Sequence, residues 1–263
     1  MRDKRMSQEH FDKLMNVSET VISNGLKKKS AGSMPESRYV GFFFSSANEL
    51  KSILKTQYSL GSAVTELLPN YLRWLDFSDD FHKARMLLSP CDRMQWVELT
   101  RDGYQSYLWL LSFAVLLRRP HDDFEKIATY IDAADPGAEC KSGRAVYQVG
   151  NNRGKDALLD LLLNKVGVSG PQATELFLPS TYKKLLAIIQ ADPNKRPILM
   201  KKYLEGWYAA NKKSGWHDMH VRPNNWSYAG YWSFESALVV KLFDIDDSSF
   251  RDNAYYPADL VHW

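Results

Sequence analysis

The segment from Gly103 to Leu117 constrains the fold most strongly, because it contains no charged residue and lies between Asp102 and Arg118. It is shorter than the roughly 20 residues that a membrane-spanning helix needs. At helical spacing its apolar side chains point in every direction, which is typical of a helix that other helices surround. The segment therefore predicts the centre of a water-soluble helical bundle, within a longer helix over residues 92–118.

Apolar residues recur at helical spacing along most of the chain, and alternating strand patterns are nearly absent. The triplet at 42–44 could begin as a strand, but the periodicity that follows it favours a helix. The predicted fold class is all-α, a multi-helix bundle with two helical halves packed together. The remaining predicted helices cover 3–28, 39–58, a segment through 67–75, 122–132, 155–166, 180–190, 197–212 and 227–243.

Residues 134–152 are the best candidate for a connection between the two halves. This segment contains Pro136, Gly137, Gly143 and Gly150, which favour turns and irregular backbone. The predicted organisation is an N-terminal helical region at 1–133, a connecting segment at 134–152 and a C-terminal helical region at 153–263.

The start of the chain indicates a cytoplasmic protein, because its basic residues lead into polar residues rather than into an apolar signal segment. No membrane association is expected. The two cysteines, Cys91 and Cys140, are too few for a disulfide framework, and reduced thiols are the simpler interpretation.

Net charge gives little support for a nucleic-acid partner, since it is only +3 over 263 residues. Residues 61–135 form the acidic part of the chain, with 8 basic and 12 acidic side chains. Most carboxylates of this kind cap a helix or lie on its solvated face. Six of them are nevertheless the candidate partner-binding residues. These candidates are Asp76, Asp79 and Asp80, expected at a helix end, and Asp122, Asp123 and Glu125, expected to open another helix.

No assembled active site is recognisable, so we predict that the protein is not an enzyme and has no cofactor. The nucleophile elbow and the dinucleotide fingerprint are both absent, and Gly154-Lys155 lacks the rest of a phosphate loop. Two alternatives stay open. One is a helical metal-dependent enzyme that uses His217, His220 or Glu235, and the other is a scaffold that binds nucleic acid through Lys27–Lys29.

Three C-terminal segments, Gly230–Ala237, Asp244–Phe250 and Tyr255–Leu260, resemble the immunity proteins of polymorphic nuclease effectors, the PoNe immunity family. Gly154–Asp160 is similar to a helix start in the same family. The resemblance implies an all-helical inhibitor that binds and neutralises a cognate DNase toxin of interbacterial competition, delivered by type VI secretion. It brings no catalytic residues, and it leaves the oligomeric state open.

The residues that carry the resemblance are expected to be structural rather than to contact the toxin. Trp232 and Phe234 are predicted on an apolar helix, and the segment around Tyr256 is predicted to dock back onto the bundle. Glu235 is expected to be a partly buried carboxylate that bonds to a neighbouring helix or to a tyrosine hydroxyl. The complete set is Trp232, Phe234, Glu235, Asp246, Asp247 and Tyr256.

Overall fold

The chain forms two compact units, seen in a computed structural model that describes residues 1–89, 92–93, 96, 101–132, 140–142, 145–147, 156–170 and 172–263. The first unit contains residues 1–89 together with 218–231, and the second contains residues 90–217 together with 232–263. The predicted N-terminal and C-terminal regions therefore each contribute residues to both units. The all-α fold class is confirmed.

The first unit consists mainly of three helices: α1 (Gln8–Ser30), α2 (Tyr39–Leu60) and α3 (Leu68–Met86). Helix α2 packs against both α1 and α3. Arg73 of α3 also donates two hydrogen bonds to the Glu19 carboxylate of α1, at 2.6 and 2.8 Å. The core contains large apolar side chains from all three helices, including Phe11, Ile22, Leu50, Ile53, Tyr71 and Trp74.

In the described part of the second unit, α4 (Arg101–Leu116) is followed by α5 (His121–Asp132). Three helices follow, α6 (Ala157–Lys165), α7 (Pro179–Gln190) and α8 (Arg196–Ala210), and the last is α9 (Phe234–Phe243). Helix α4 packs chiefly against α9, and α7 packs against α8. Side chains of α4 are buried on every side of the helix, as the uncharged segment predicts: Tyr104, Tyr107, Leu108, Trp109, Leu110, Leu111, Phe113, Ala114 and Leu116.

Two three-residue strands are the exception to the helical fold among the described residues. β1 (Cys140–Ser142) pairs in antiparallel fashion with β2 (Ala145–Tyr147). They lie within the predicted connecting segment 134–152, whose other residues are outside the described part of the chain. Cys91 and most of residues 92–100, the first part of the helix predicted over 92–118, are also outside it.

Two predicted helix boundaries are wrong. Helix α1 begins at Gln8 rather than at residue 3, because Ser7 caps it by accepting a hydrogen bond from the His10 amide at 3.2 Å. The last helix begins at Phe234 rather than at 227, because Gly230 has a φ of +105° and the chain is not helical again until after Ser233. Trp232 therefore precedes the helix on which it was expected.

Pro69 marks a late helix start rather than a kink. Residues Val64–Leu67 form a 3-10 turn, and α3 then begins at Leu68 with the proline in its first turn. A proline there sacrifices no intrahelical hydrogen bond, because the first amides of a helix have no partner within it. Within the described residues, none of the helices combines the length and the hydropathy that crossing a membrane requires.

We expect Trp232→Ala to lower the free energy of unfolding by about 3 to 5 kcal/mol, because the indole is 6% exposed and its removal leaves a cavity. Urea denaturation followed by circular dichroism measures the change. Val221→Ala is the control, since Val221 is 70% exposed and should change stability by less than about 0.5 kcal/mol. Equal stability of wild type and Trp232→Ala would contradict the assignment of Trp232 to the packed interior.

Candidate partner-binding surface

Glu235 is fully buried and acts as the polar centre of the second unit. Its carboxylate accepts hydrogen bonds from the indole nitrogens of Trp109 on α4, at 3.1 Å, and Trp207 on α8, at 2.5 Å. The Tyr203 hydroxyl donates at 3.3 Å and the Ser233 hydroxyl at 3.0 Å. Burial raises the pKa of Glu235, and the hydrogen bonds from both indoles and from Ser233 oppose that rise. A carboxylate enclosed in this way joins three helices and offers nothing to a partner.

Asp247 holds the C-terminal segment in place. It is 2% exposed and accepts hydrogen bonds from Arg251 at 2.5 Å, the Tyr256 hydroxyl at 3.0 Å and His262 at 2.6 Å. Burial opposes ionisation of Asp247, but these three donors outweigh it and lower the pKa of the carboxyl. The adjacent Asp246 is exposed and only orders the turn, accepting from the Ser248 amide and hydroxyl at 3.0 Å each.

The aromatic residues that carry the family resemblance are buried too. The Phe234 ring lies 4.6 Å from that of Phe113 and 5.7 Å from that of Trp109. Tyr256 is 3% exposed, and its ring lies edge-on to Phe250 at 5.2 Å. Among the six residues of the motif, Asp246 is therefore the one whose side chain a partner could reach.

The three acidic candidates of the first unit lie in the middle and second half of α3, not at a helix end as the sequence suggested. The Asp79 carboxylate is 2.5 Å from the Lys83 ammonium, and Lys29 interacts electrostatically with Asp80. Partial burial raises the pKa of Asp80, and Lys29 opposes that rise. Asp76 and Asp80 are exposed and Asp79 is half-buried. Two ammonium groups thus accompany three carboxylates, so this patch is only weakly negative.

The three acidic candidates of the second unit differ from one another in exposure. Asp123 is 6% exposed and accepts a hydrogen bond from Arg119 at 2.8 Å, so little of its carboxylate is accessible to a partner. Asp122 and Glu125 are exposed on the first turns of α5, where His121 lies 3.4 Å from Glu125.

The histidines proposed as metal ligands are engaged in separate units. His217 belongs to the second unit and stacks on Tyr208 at 4.2 Å, whereas His220 belongs to the first and lies 2.8 Å from the Tyr231 hydroxyl. In the parts of the chain that the structure describes, no three His, Cys, Asp or Glu side chains are grouped so as to hold a metal ion.

The first unit also has an exposed apolar surface that was not predicted from the sequence, which we call the α1–Trp226 face. The Trp226 side chain is 64% exposed, and Val17 and Val21 on the outer side of α1 are 45% and 44% exposed. A pocket of about 150 Å³ lies between the indole and α1. Its lining residues are His10, Lys13, Leu14, Val17, Asn225 and Trp226.

An open groove continues this face along α1. It is lined by apolar and polar side chains of the helix, with the carboxylates of Glu9 and Asp12 at one end and Val21 at the other. Large exposed aromatic side chains next to a pocket are typical of the residues that dominate protein–protein binding energy. The sequence signal was the position of Trp226 between Asn225 and Ser227, outside any apolar periodicity.

Two family models match the chain. The model described as "PoNe immunity protein (PoNi), N-terminal" matches residues 2–129, and the model described as "PoNe immunity proteins (PoNi), C-terminal" matches residues 154–260. Together they cover nearly the whole sequence, so the resemblance noted in the C-terminal segments is confirmed. No curated protein is similar enough to the chain to be counted as a match.

A solved structure with the same fold is "The Crystal Structure of Protein PA2201 from Pseudomonas aeruginosa". The similarity covers 98% of this chain and 88% of that chain, with a TM-score of 0.65 and 22% sequence identity. At that level of identity the similarity supports the fold alone.

The contributions of the two buried carboxyls to the free energy of unfolding should change in opposite directions as pH changes. The folded-state pKa of Glu235 is raised, so its favourable contribution is complete below the unfolded value of about 4.5 and declines as pH rises through the folded pKa. The folded-state pKa of Asp247 is lowered, so its contribution is complete above about 3.8 and is lost as pH falls through the folded pKa.

Urea denaturation between pH 3 and pH 7 tests this prediction with Glu235→Gln and Asp247→Asn, which do not titrate. The stability difference between wild type and Glu235→Gln should shrink as pH rises above about 4.5. The difference between wild type and Asp247→Asn should shrink as pH falls below about 3.8. The same direction of change for both variants would contradict the assignment.

Proposed function

Because the chain belongs to the PoNe immunity protein family, we propose that it binds a cognate nuclease effector and blocks its activity on DNA. The family membership is the observation that carries this proposal. We further propose that the effector is a DNase delivered by type VI secretion in interbacterial competition, and that the inhibitor acts in the cytoplasm of the producing cell. Its action consists of binding, with no catalytic step of its own.

We propose that the effector binds to the α1–Trp226 face. A tryptophan that is 64% exposed leaves a large apolar area in contact with water. A partner that covers this area gains the hydrophobic free energy of burying it. The pocket beside it can accept an apolar side chain of the partner. Val17 and Val21 extend the apolar area along α1, and Glu9 and Asp12 supply negative charge at its rim. This is the arrangement of an apolar centre and polar rim found at protein–protein interfaces.

The acidic patch of α3 is a second candidate surface, which would attract the basic DNA-binding surface of a nuclease. Asp76 and Asp80 are exposed, but Lys83 and Lys29 offset part of the negative charge. We therefore expect this patch to affect the rate of association rather than to anchor the complex. Asp122 and Glu125 on α5 are also exposed carboxylates, and we expect them to act in the same way.

We expect Trp226→Ala to weaken binding to the cognate effector by about 30-fold or more, because such anchor residues contribute about 2 kcal/mol or more. The affinity is measured by titration calorimetry with a catalytically inactive effector. The melting temperature should not change, since the indole is mostly exposed. Protection of cells that express the active effector should fall in parallel.

Leu26→Ala is the matched control, because Leu26 is exposed on the same helix but does not line the pocket. It should bind and protect like wild type. If Trp226→Ala also binds like wild type, the effector binds to another surface of the inhibitor. If the wild-type protein neither binds nor protects against the effector encoded beside it, the proposed function itself is wrong.

Reversing three charges on α3, in the triple variant Asp76→Lys, Asp79→Lys and Asp80→Lys, should slow association several-fold and leave dissociation nearly unchanged. The expected cause is the loss of electrostatic attraction, which added salt should reproduce in the wild type. Surface plasmon resonance at low and high salt measures both rates. A triple variant that associates at the wild-type rate would show that these carboxylates form only a solvated face.

A further inference from the structure

Basic side chains are concentrated on the helical hairpin α7–α8 and the residues just after it. Residues 183–213 contain 8 basic and 2 acidic side chains, a formal charge of +6, while the whole chain has +3. The other residues of the chain therefore sum to −3. The exposed lysines of this segment, which we call the α7–α8 basic surface, are Lys183, Lys184, Lys195, Lys201, Lys202, Lys212 and Lys213.

Four of these lysines lie on the sides of the two helices that face away from the core: Lys183 and Lys184 on α7, and Lys201 and Lys202 on α8. Lys195 lies on the connecting turn, and Lys212 and Lys213 follow α8. Helix α7 buries Tyr182, Leu185, Ile188 and Ile189, and helix α8 buries Met200, Tyr203, Leu204 and Trp207. The two helices pack against each other, so they are neighbours in the second unit. Arg196 is not part of the surface, because it donates hydrogen bonds to the carbonyls of Ile189 and Ala191 at 3.1 Å each.

Internal ion pairs do not account for this accumulation of charge. Lys195 pairs with Asp192 at 3.1 Å on the connecting turn. For the other six lysines, no carboxylate among the described residues lies within ion-pair distance. A bound polyanion would relieve the mutual repulsion of these ammonium groups. The charge therefore favours a polyanion as the ligand.

The composition of the surface indicates phosphates rather than an acidic protein. Lysine is depleted at protein–protein interfaces, where arginine and aromatic residues act as anchors, and Ile198 is the one large apolar side chain prominent on this surface. Lysine is a common ligand of nucleic-acid phosphates. The exposed stripe of α8 carries no aromatic platform for unstacked bases, so a duplex fits better than a single strand.

We propose that the α7–α8 basic surface binds the sugar-phosphate backbone of duplex nucleic acid without reading its sequence. The seven lysines extend from Lys183 on α7 to Lys213 just after α8, and each ammonium group can contact one phosphate of a duplex. The proposal concerns a different unit from the α1–Trp226 face and does not depend on the effector. It departs from the expectation, drawn from the small net charge, that the protein makes no direct contact with nucleic acid.

Fluorescence anisotropy of a labelled 20-base-pair DNA duplex of arbitrary sequence tests the proposal with the purified full-length protein. Affinity should fall as salt rises from 25 to 200 mM, with a slope of log K against log salt of about −4, as expected for roughly four or five phosphate contacts. The quadruple variant Lys183→Gln, Lys184→Gln, Lys201→Gln and Lys202→Gln should bind at least about tenfold more weakly and show a shallower slope.

The triple variant Lys27→Gln, Lys28→Gln and Lys29→Gln is the matched control, because it removes a lysine cluster of the first unit. It should bind DNA like wild type, and all variants should melt at similar temperatures. The proposal is overturned if wild type shows no salt-dependent binding, or if the control variant loses as much affinity as the quadruple variant. It is also overturned if the quadruple variant retains DNA affinity and loses effector binding, since the surface would then contact an acidic protein.

Discussion

The second unit depends on the burial of one carboxylate, that of Glu235. A buried carboxylate is stable only when hydrogen-bond donors replace the water it has lost. Trp109 on α4 and Trp207 with Tyr203 on α8 supply those donors, together with Ser233 just before α9. Each donor fixes the position of its helix relative to α9. The motif that carries the family resemblance is thus centred on Glu235, whose role is to pack helices together. A surface that recognises a partner must lie on other residues.

The helices could be predicted from the sequence because their burial pattern is local. The uncharged segment at 103–117 predicted a helix that other helices surround, and α4 is buried on all sides. Boundaries were predicted less well where a tertiary contact determines them. Residues 2 and 3 donate to the Ser59 carbonyl, and the Arg2 side chain donates to the carbonyls of Tyr58 and Ser62. These contacts hold the first residues against the end of α2, and helical periodicity alone contains no record of them.

The candidate surfaces were harder to predict, because exposure depends on how distant segments meet. Asp123 looked like the other acidic residues of 61–135, yet its pairing with Arg119 and its burial follow from the packing of α5. The position of Trp226 likewise depends on distant segments. Its exposure arises because residues 218–231 return to the first unit, where the His10 ring bonds to the Tyr228 carbonyl and Tyr228 itself is buried. The basic surface is hard to predict from the sequence because its lysines alternate with the apolar residues that α7 and α8 bury, and the net charge of the whole chain is only +3.

The charges of the two surfaces impose different requirements on their partners. A nuclease must present positive potential where it holds DNA, so it would be repelled by the lysines of the α7–α8 basic surface. The α1–Trp226 face has no such excess of positive charge, since Glu9 and Asp12 accompany Lys13 along its groove. An inhibitor that covers a DNA-binding channel with this face meets no electrostatic barrier, and its apolar contacts with Trp226 and Val17 keep their strength at physiological salt. The charge of the two surfaces is therefore consistent with effector binding at the α1–Trp226 face and with phosphate binding at the α7–α8 basic surface.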